Sequence, residues 1–474
     1  MAHCAVAGAL IRAPPAVLRM WSWGRCRVVG VSLAHLHSLS SRPFSFSTGP
    51  FVHRLSRPQL RAASRTRLAS LQTTLRLRRA GVVFALGLSL GWASGPGSAR
   101  APGPAGPIAP EAVALPPPLT VTPPTTPVWA ELLKAELALL ATRHTAGVGV
   151  YVRDLDTGAV VSHRGEERWY LASMVKVPVA MAVLRAVERG DFTLNTTLRL
   201  RAADYVDGAG STNARPVGAA LSVRYLIEQM IVHSDNTASD MLIDLVGVHA
   251  VNALVHELVP LGLERITTLA DVRRHAYGYL TPEAAHLSGQ DFLVLKQQRN
   301  DAERMQALAR LLRVSPATFQ RASVGDAFEA YYASGLNSGR LDAYADLLQA
   351  LVDGRALSPA HTRYLLQVME RVQTGKGRIV AGLPATARFA HKTGTQRART
   401  CDAGLITVPR LGRDQRVLVV ACTRGELSTV RSDAALREVG AALCNSGLLT
   451  HGNPHDPQCR LSAHPVPRAE PDDR

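Results

Sequence analysis

One stretch of mixed apolar periodicity, from residue 129 to about residue 449, limits most strongly what this chain can fold into. A Pro-, Ala- and Gly-rich segment at 101–128 precedes it, and such a composition cannot bury enough surface to fold. Residues 451–474 are rich in Pro, His and Asp. The sequence therefore predicts one folded domain over 129–450, between a linker and a C-terminal tail.

The positive charge of the chain is concentrated at its N-terminus. The 474 residues include 54 Lys and Arg against 37 Asp and Glu, which gives a net charge of +17. Residues 1–110 hold 14 Arg and no acidic residue, so the rest of the chain carries only +3. Because aromatic residues are not interleaved with these arginines, we expect no nucleic-acid partner.

The same N-terminal part contains the pattern of an export signal. Three arginines within 76–79 precede the apolar run 80–93, and the small residues 97–99 follow it. The run is shorter than the roughly 20 residues that a spanning helix needs. We expect a targeting region over 1–100 with its signal at about 76–99, and an exported, periplasmic or extracellular protein with no stable membrane span once processed. An uncleaved signal would leave it membrane-anchored. The residues ahead of the signal are either a transit extension or the result of a start assigned too far upstream.

Four cysteines lie within the predicted domain and tail. Cys401 begins an alternating run and Cys422 ends another, with a turn at 411–414 between them. A hairpin with that turn places the two residues opposite each other, as a disulfide or as two buried free thiols. Cys444 and Cys459 would tie the tail back to the domain.

A strand-turn-strand pattern at 147–161 leads into a predicted buried helix that Gly190 ends. Ser173 would lie in the first turn of this helix, with Lys176 three residues later on the same face. A neutral lysine amine can accept the serine proton, and backbone N–H groups at a helix N-terminus can bind an oxyanion. A capping serine beside a lysine that reaches to solvent is the other interpretation of this pair.

A polar turn at 233–238 separates predicted helices at 223–232 and 239–246. Such a turn can direct Ser234 and Asn236 into a cleft, or it can be an Asx turn that caps a helix.

A third motif, at 388–395, leads into the strand of Cys401. Lys392 and Thr393 on a strand edge can bind a substrate carboxylate, and Gly394 lets a ligand approach the backbone. The alternative is an edge strand that a lysine protects from pairing.

These three motifs in this order resemble the Ser-x-x-Lys, Ser-Asp-Asn and Lys-Thr-Gly set of class A β-lactamases and penicillin-binding proteins. The context 231–242 and the 61 residues from Ser173 to Ser234 are also similar to class A enzymes. The resemblance implies an α+β fold, an α/β/α sandwich. In that fold, helices flank an antiparallel sheet made of the N-terminal hairpin and the C-terminal strands. An all-helical half is inserted between them, and the site lies at the boundary.

The resemblance also implies a role for each motif residue. Ser173 would be the acylated nucleophile, Lys176 its base or proton relay, and Ser234 a proton shuttle to the leaving nitrogen. The oxyanion would lie between the backbone N–H groups of Ser173 and Thr395. The substrate-binding residues that it implies are Asn236, Lys392, Thr393, Gly394 and Thr395. A monomer that needs no cofactor or metal is expected, with a small β-lactam or a cell-wall-derived molecule as substrate.

The sequence departs from the class A pattern in one segment. The Glu-x-x-Leu-Asn motif, whose glutamate activates the hydrolytic water in class A enzymes, is not found. Asp271 resembles the structural aspartate of that loop, after which the glutamate position falls near Arg274 or His275. Glu264 and Glu283 are possible substitutes without the Leu-Asn partner.

The spacing to the third motif is also unusual, because Ser234 and Lys392 are 158 residues apart, with additional helical material near 286–335. We expect a class A β-lactamase-type serine hydrolase, linked to antibiotic resistance, that acylates readily and hydrolyses its acyl-enzyme slowly. A related serine hydrolase or penicillin-binding protein acting on cell-wall peptides or esters is the alternative. A non-catalytic binding relative is a third.

Overall fold

A computed structural model describes residue 103 and residues 126–454 and 456–460. The predicted export signal, most of the predicted linker and the end of the predicted tail lie outside the described residues.

Nine strands are present in the described part of the chain. Their bounds are β1 Gly147–Asp154, β2 Val160–His163, β3 Arg168–Tyr170, β4 Thr197–Arg199, β5 Ala220–Ser222, β6 Ser338–Arg340, β7 Arg388–Gln396, β8 Arg399–Val408 and β9 Gln415–Arg424.

The described residues also form thirteen α-helices. Their bounds are α1 Val128–Arg143, α2 Lys176–Arg189, α3 Val223–Val232, α4 Asn236–Val246, α5 Val248–Leu258, α6 Leu269–Gly278, α7 Gly289–Lys296, α8 Asp301–Leu312, α9 Val324–Ala333, α10 Leu341–Val352, α11 Pro359–Met369, α12 Thr429–Asn445 and α13 Pro457–Arg460. Short 3₁₀ turns occupy Ala172–Val175, Ala202–Asp204, Thr212–Ala214, Pro282–His286, Pro316–Thr318 and Ile379–Gly382.

Five strands form one antiparallel sheet in the order β2-β1-β9-β8-β7. The hairpin β1–β2 turns at Gly158, whose φ of 74° is in the left-handed region that glycine adopts without strain. The pairing of β1 with β9 joins this hairpin to the C-terminal strands, with Gly147 opposite Arg424. The predicted sheet, made of the N-terminal hairpin and the C-terminal strands, is confirmed.

The sheet is covered on both faces. Alternate side chains of β9 point to opposite sides, so Val419 contributes to one core and Val420 to the other. Helices α1 and α12 cover the first face, through Leu133 and Leu436 among others. Helix α10 and the helical half cover the second face, where Met181 of α2 is fully buried. Burying each such side chain contributes roughly 1.5–3 kcal/mol. The predicted α/β/α arrangement is therefore confirmed.

Two local predictions are wrong at their boundaries. The helix predicted at 239–246 begins three residues earlier, because the carboxylate of Asp235 caps it by accepting the backbone N–H of Ala238. Ser173 lies in a 3₁₀ turn rather than in the first turn of α2, which begins at Lys176. Pro178 fits in that first turn, where its missing N–H costs no hydrogen bond.

Both predicted cysteine pairs are disulfides in the structure, Cys401 with Cys422 and Cys444 with Cys459. Cys401 and Cys422 are direct cross-strand partners on β8 and β9. The additional helical material predicted near 286–335 forms α7, α8 and α9. Within the described ranges, no single helix has the length and apolar character to cross a membrane, although α4 and α5, bent by 85°, meet that test when taken together.

Candidate active site

The first motif residue, Ser173, lies in a turn that both halves of the domain hold in place. The preceding residue, Ala172, has a φ of 48°, a conformation that costs an alanine free energy and is frequent at functional sites. The N–H of Leu171 donates to the carbonyl of Asn337 at 2.9 Å, and the hydroxyl of Tyr344 donates to the carbonyl of Met174 at 2.9 Å. The Ser173 side chain is thereby presented on a fixed and partly exposed turn.

The edge strand β7 lies directly against this turn. A Cβ added to Gly394 would be 2.5 Å from the carbonyl oxygen of Leu171 and 3.2 Å from the Cβ of Ala172. The absence of a side chain at Gly394 therefore lets the strand approach the Ser173 turn. The third motif and the first are brought together by this contact.

Lys176 has its amine fully buried among motif residues. Its Nζ donates to the carbonyl of Ser234 at 2.6 Å and to the side-chain oxygen of Asn236 at 2.7 Å, with the hydroxyl of Ser234 at 3.3 Å. Burial lowers the pKa of this amine to about 7. Among the described residues, the Ser173 hydroxyl is not one of its hydrogen-bond partners, although the Ser173 carbonyl accepts the backbone N–H of Lys176.

The second motif divides its two possible roles between neighbouring residues. Asp235 acts as the helix cap, since one of its oxygens accepts the N–H of Ala238 at 2.9 Å and the other that of Thr212 at 2.8 Å. Ser234, at a φ of 59°, and Asn236 are then free to face Lys176. Both interpretations of this motif are therefore present in one turn.

Lys392 brings the third motif to the same serine. Its buried amine donates to the hydroxyl of Ser234 at 3.0 Å and to the carbonyl of Thr393 at 2.9 Å. Burial holds the pKa of this amine well below its usual value, and the nearby cations Lys176 and Arg378 lower it further. The second and third motifs therefore meet at one hydroxyl group.

Arg378 is a further cation at this site that the sequence motifs do not indicate. Its guanidinium donates to the carbonyls of Gly394 and Cys401 at 3.1 and 3.0 Å and to the hydroxyl of Thr395 at 2.8 Å. Asp433 binds the same group at 2.7 Å. The residue is 95% buried against β7, where no sequence pattern marks it.

Arg274 and His275 are at the position expected for the glutamate that activates water, and neither supplies a carboxylate there. Arg274 of α6 binds Asp271 at 2.9 Å and the carbonyl of Leu287 at 3.0 Å. His275 is exposed and lies parallel to the ring of Tyr331, with 6.4 Å between the ring centres.

The two candidate glutamates lie on the surface. Glu264 and Glu283 are exposed, and Glu283 accepts a hydrogen bond from Thr281, which lowers the pKa of its carboxyl group. Neither side chain has a described contact with Lys176 or Ser234.

The carboxylates that act electrostatically on Lys176 are Asp235 and Asp240 of the second motif region. Asp240 accepts the N–H groups of Leu269 and Ala270, at 2.7 and 2.8 Å, one on each oxygen. Burial nevertheless raises the pKa of Asp240 to about 7. Each of these two carboxylates therefore uses both oxygens to hold backbone N–H groups.

Two of the additional helices, α7 and α9, contact residues next to the site motifs. Lys296 of α7 donates to the carbonyl of Gly208 at 2.6 Å, beside the second motif. Tyr332 of α9 donates to the carbonyl of Arg397 at 2.9 Å, at the end of β7, and lies 4.7 Å from the ring of Tyr170, ahead of Ser173. Helices α7 and α9 therefore border the site, beside the second motif and at the end of β7.

A cluster of His, Cys, Asp or Glu side chains able to hold a metal ion is not present among the described residues.

The family of the chain follows from its match to a model of known protein families. A family model described as the beta-lactamase enzyme family matches residues 132–446. The chain belongs to this family. The match includes all eight motif residues discussed above, and it confirms the family that the three motifs resemble.

Individual relatives agree with this assignment. A β-lactamase of Streptomyces lavendulae is 37% identical over 115 residues, which are 24% of this chain and 38% of that protein. The match therefore spans about two fifths of that relative's length. A β-lactamase of Streptomyces albus G is 29% identical over 317 residues, 65% of this chain and 83% of the relative.

A solved structure shows the same fold. A mutant of the class A β-lactamase of the last common ancestor of Gram-negative bacteria superposes with a TM-score of 0.50 at 26% identity. The superposition covers 67% of this chain and 99% of that one. The predicted β-lactamase-like fold is therefore confirmed.

Proposed function

We propose that the protein is a serine hydrolase of the class A β-lactamase type, in which β-lactam amides acylate Ser173. The observation that carries this proposal is the buried amine of Lys176, three residues from Ser173. Its pKa is about 7, and its hydrogen bonds go to Ser234 and Asn236. At neutral pH a substantial fraction of this amine is unprotonated, as a proton acceptor requires.

The acylation step follows from this geometry. The Ser173 oxygen attacks the carbonyl carbon of the lactam while its proton passes to Lys176. The backbone N–H groups of Ser173 and Thr395 bind the oxyanion. The C–N bond then breaks, and Ser234, bonded to both lysines, gives its proton to the leaving nitrogen and receives from Lys176 the proton that came from Ser173. The products of the step are an ester on Ser173 and a secondary amine.

The substrate carboxylate has a binding place on β7. Lys392 and the hydroxyl of Thr393 lie there, and the hydroxyl of Thr374 contacts that of Thr393 at 2.5 Å. Arg378, behind the strand, adds a second positive charge. Together these groups favour a small anionic substrate in the cleft.

We further propose that hydrolysis of this ester is slow. A hydrolytic water needs a base, and both carboxylates near Lys176 already hold two backbone N–H groups each. The ester on Ser173 then accumulates during turnover. The same feature favours a second candidate function, a penicillin-binding protein that acts on cell-wall peptides and is inhibited by penicillins.

Intact-mass measurement combined with nitrocefin stopped-flow tests the proposal. Wild type should show a burst of one equivalent, a covalent adduct and a slow steady state, all of which Ser173→Ala should lack. Ser162→Ala is the matched control, because Ser162 is a partly exposed serine that donates to Glu166, and it should behave as wild type. Rapid turnover with no adduct would overturn slow hydrolysis, and a wild type that neither binds covalently nor turns over would overturn acylation.

Release of D-alanine from a cell-wall pentapeptide separates the two candidates. Release faster than nitrocefin turnover supports the penicillin-binding protein, and no release supports the β-lactamase.

Export to the periplasm or the cell exterior is also part of this proposal, with a monomeric product that binds no nucleic acid and confers resistance. The two disulfides fit an oxidising compartment. N-terminal sequencing of the secreted protein, gel filtration and the minimal inhibitory concentration of ampicillin in an expressing strain test these points. An uncleaved protein in the membrane fraction would contradict processing.

A further inference from the structure

The guanidinium group of Arg273, on α6, lies in the buried surroundings of Lys176. Its Nε donates to a carboxylate oxygen of Asp207 at 2.6 Å, and its side chain is 12% exposed. Burial opposes the charge of Arg273, but the Asp207 carboxylate raises its pKa above the usual value. Arg273 therefore stays positively charged at every pH at which the protein is folded.

Three hydrogen bonds connect Arg273 to the amine of Lys176 by way of Asp207, whose carboxylate binds Arg273 and whose backbone carbonyl binds Asn236. The carbonyl of Asp207 accepts the side-chain N–H of Asn236 at 2.6 Å. The side-chain oxygen of Asn236 accepts from Lys176 at 2.7 Å. The orientation of the Asn236 amide, and with it the position of the lysine amine, depends on the place of Asp207.

Helix α6 is itself fixed to the helix that carries Asn236. Asp240 lies four residues after Asn236, on the same face of α4. Its carboxylate holds the N–H groups of Leu269 and Ala270 at the beginning of α6. The part of α6 that carries Arg273, one turn further along, is therefore held in place relative to α4.

We propose that Arg273 is a positioning residue of the acylation step, which places the Lys176 amine through Asp207 and Asn236 and adds a positive charge to its surroundings. This inference rests on the proposed function. It gives a role in that function to Arg273, which lies in the segment where the Glu-x-x-Leu-Asn motif is missing. A cation at this place helps the lysine to accept the serine proton, whereas it offers no base to a water molecule.

The charges that face Lys176 come from three elements. Burial is the main cause of the lowered pKa of Lys176. Asp235, the cap of α4, and Asp240 within α4 raise this pKa, whereas Arg273 of α6 lowers it further. The amine of Lys392 on β7 shares the Ser234 hydroxyl with Lys176 and lies close enough for each cation to disfavour the other. Without Arg273, the two carboxylates would act on Lys176 with less opposing positive charge, so the pKa of the lysine would rise.

Single-turnover acylation by nitrocefin, measured across pH, tests this assignment on the full-length protein. In Arg273→Gln we expect the midpoint of the pH profile to rise by about half a pH unit or more, because loss of a nearby cation raises the pKa of Lys176. At pH 7, close to the wild-type midpoint, the rate should fall about twofold or more. In Arg273→Lys the charge remains, so the midpoint should stay near that of wild type while the plateau falls.

Arg274→Gln is the matched control, because Arg274 binds Asp271 and Leu287 on α6 and its surroundings rather than Asp207. Its profile should coincide with that of wild type, and thermal unfolding of each variant verifies the fold. A residue with only a structural role would lower the plateau without moving the midpoint, so an unchanged midpoint in Arg273→Gln would overturn the proposal.

Two further outcomes are decisive. If Arg273→Gln does not fold, Arg273→Met takes its place: a raised midpoint would support the proposal, and an unchanged midpoint would overturn it. A wild type that is not acylated at any pH would instead contradict the proposed function, so the two failures are distinguishable.

Discussion

Lys176 and Lys392 both donate a hydrogen bond to the hydroxyl of Ser234, at 3.3 and 3.0 Å, and both amines are fully buried. Two protonated amines at this separation from one oxygen repel each other strongly in a site of low dielectric constant. The pair is therefore held with at least one amine largely neutral. The serine between them can exchange protons with either.

The first prediction concerns the pH dependence of acylation. Because the pKa of Lys176 is lowered to about 7, the neutral amine predominates above that pH, and the acylation rate of wild type should rise with pH through a midpoint near it. Lys176→Met should lower the rate by at least about a hundredfold at pH 8. Single-turnover nitrocefin kinetics checks both, and a rate that is constant between about pH 5 and about pH 9 would contradict the assignment.

A second prediction concerns stability and Lys392. Burial lowers the pKa of this amine in the folded state, so the unfolded chain binds more protons between that lowered pKa and the ordinary value. The free energy of unfolding should therefore increase with pH across this window, and the penalty is largest below it. Lys392→Met removes the penalty, so its melting temperature at pH 7 should be higher than that of wild type while penicillin acylation decreases.

Calorimetry at several pH values measures this effect. Lys376→Met, a change at an exposed lysine, serves as the control and should leave the pH slope unchanged. A lower melting temperature in Lys392→Met would show that the amine contributes more to stability through its hydrogen bonds than it costs through burial.

A third prediction concerns the contact between β7 and the Ser173 turn. In Gly394→Ala the new Cβ would be 2.5 Å from the Leu171 carbonyl, so the turn must move. A displacement of about 1 Å in a nucleophile costs roughly a hundredfold in rate, and kcat/KM should fall by about that factor. Gly278→Ala, where a Cβ meets no atom within 4 Å, should be as active as wild type. Equal activity of the two variants would mean that the turn is not held by the strand.

A fourth prediction concerns Arg378. Because its guanidinium supplies positive charge behind β7, Arg378→Ala should raise KM for benzylpenicillin by about tenfold or more, with a smaller change in kcat. Arg388→Ala, which removes an exposed ion pair with Asp414, is the control and should change KM little. An unchanged KM in Arg378→Ala would assign carboxylate binding to Lys392 and Thr393 alone.

The sheet and the three motifs could be predicted because their signals are local. Strand alternation marks β1 and β9, and the helix predicted at 223–232 has the bounds of α3. The start of α4 differs from the prediction because the polar run 233–238 has the composition of a turn, although Asp235 in it is a typical N-cap residue.

Arg273 and Arg378 could not be identified from sequence. Each depends on partners that are distant in the chain: Asp207 lies 66 residues before Arg273, and Asp433 lies 55 residues after Arg378. An isolated arginine in an amphipathic segment is usually a surface residue. Its function becomes visible only when the fold buries it.

The pairing of β1 with β9 has a consequence for synthesis of the protein. Gly147 and Arg424 are partners in one ladder although 277 positions separate them, so the sheet cannot close until nearly the whole domain has left the ribosome. Ser173 is made early, but the strand that completes its cleft is made among the last. An incomplete nascent chain therefore carries the serine without reactivity, and a translation product truncated before β7 would be inert toward antibiotics.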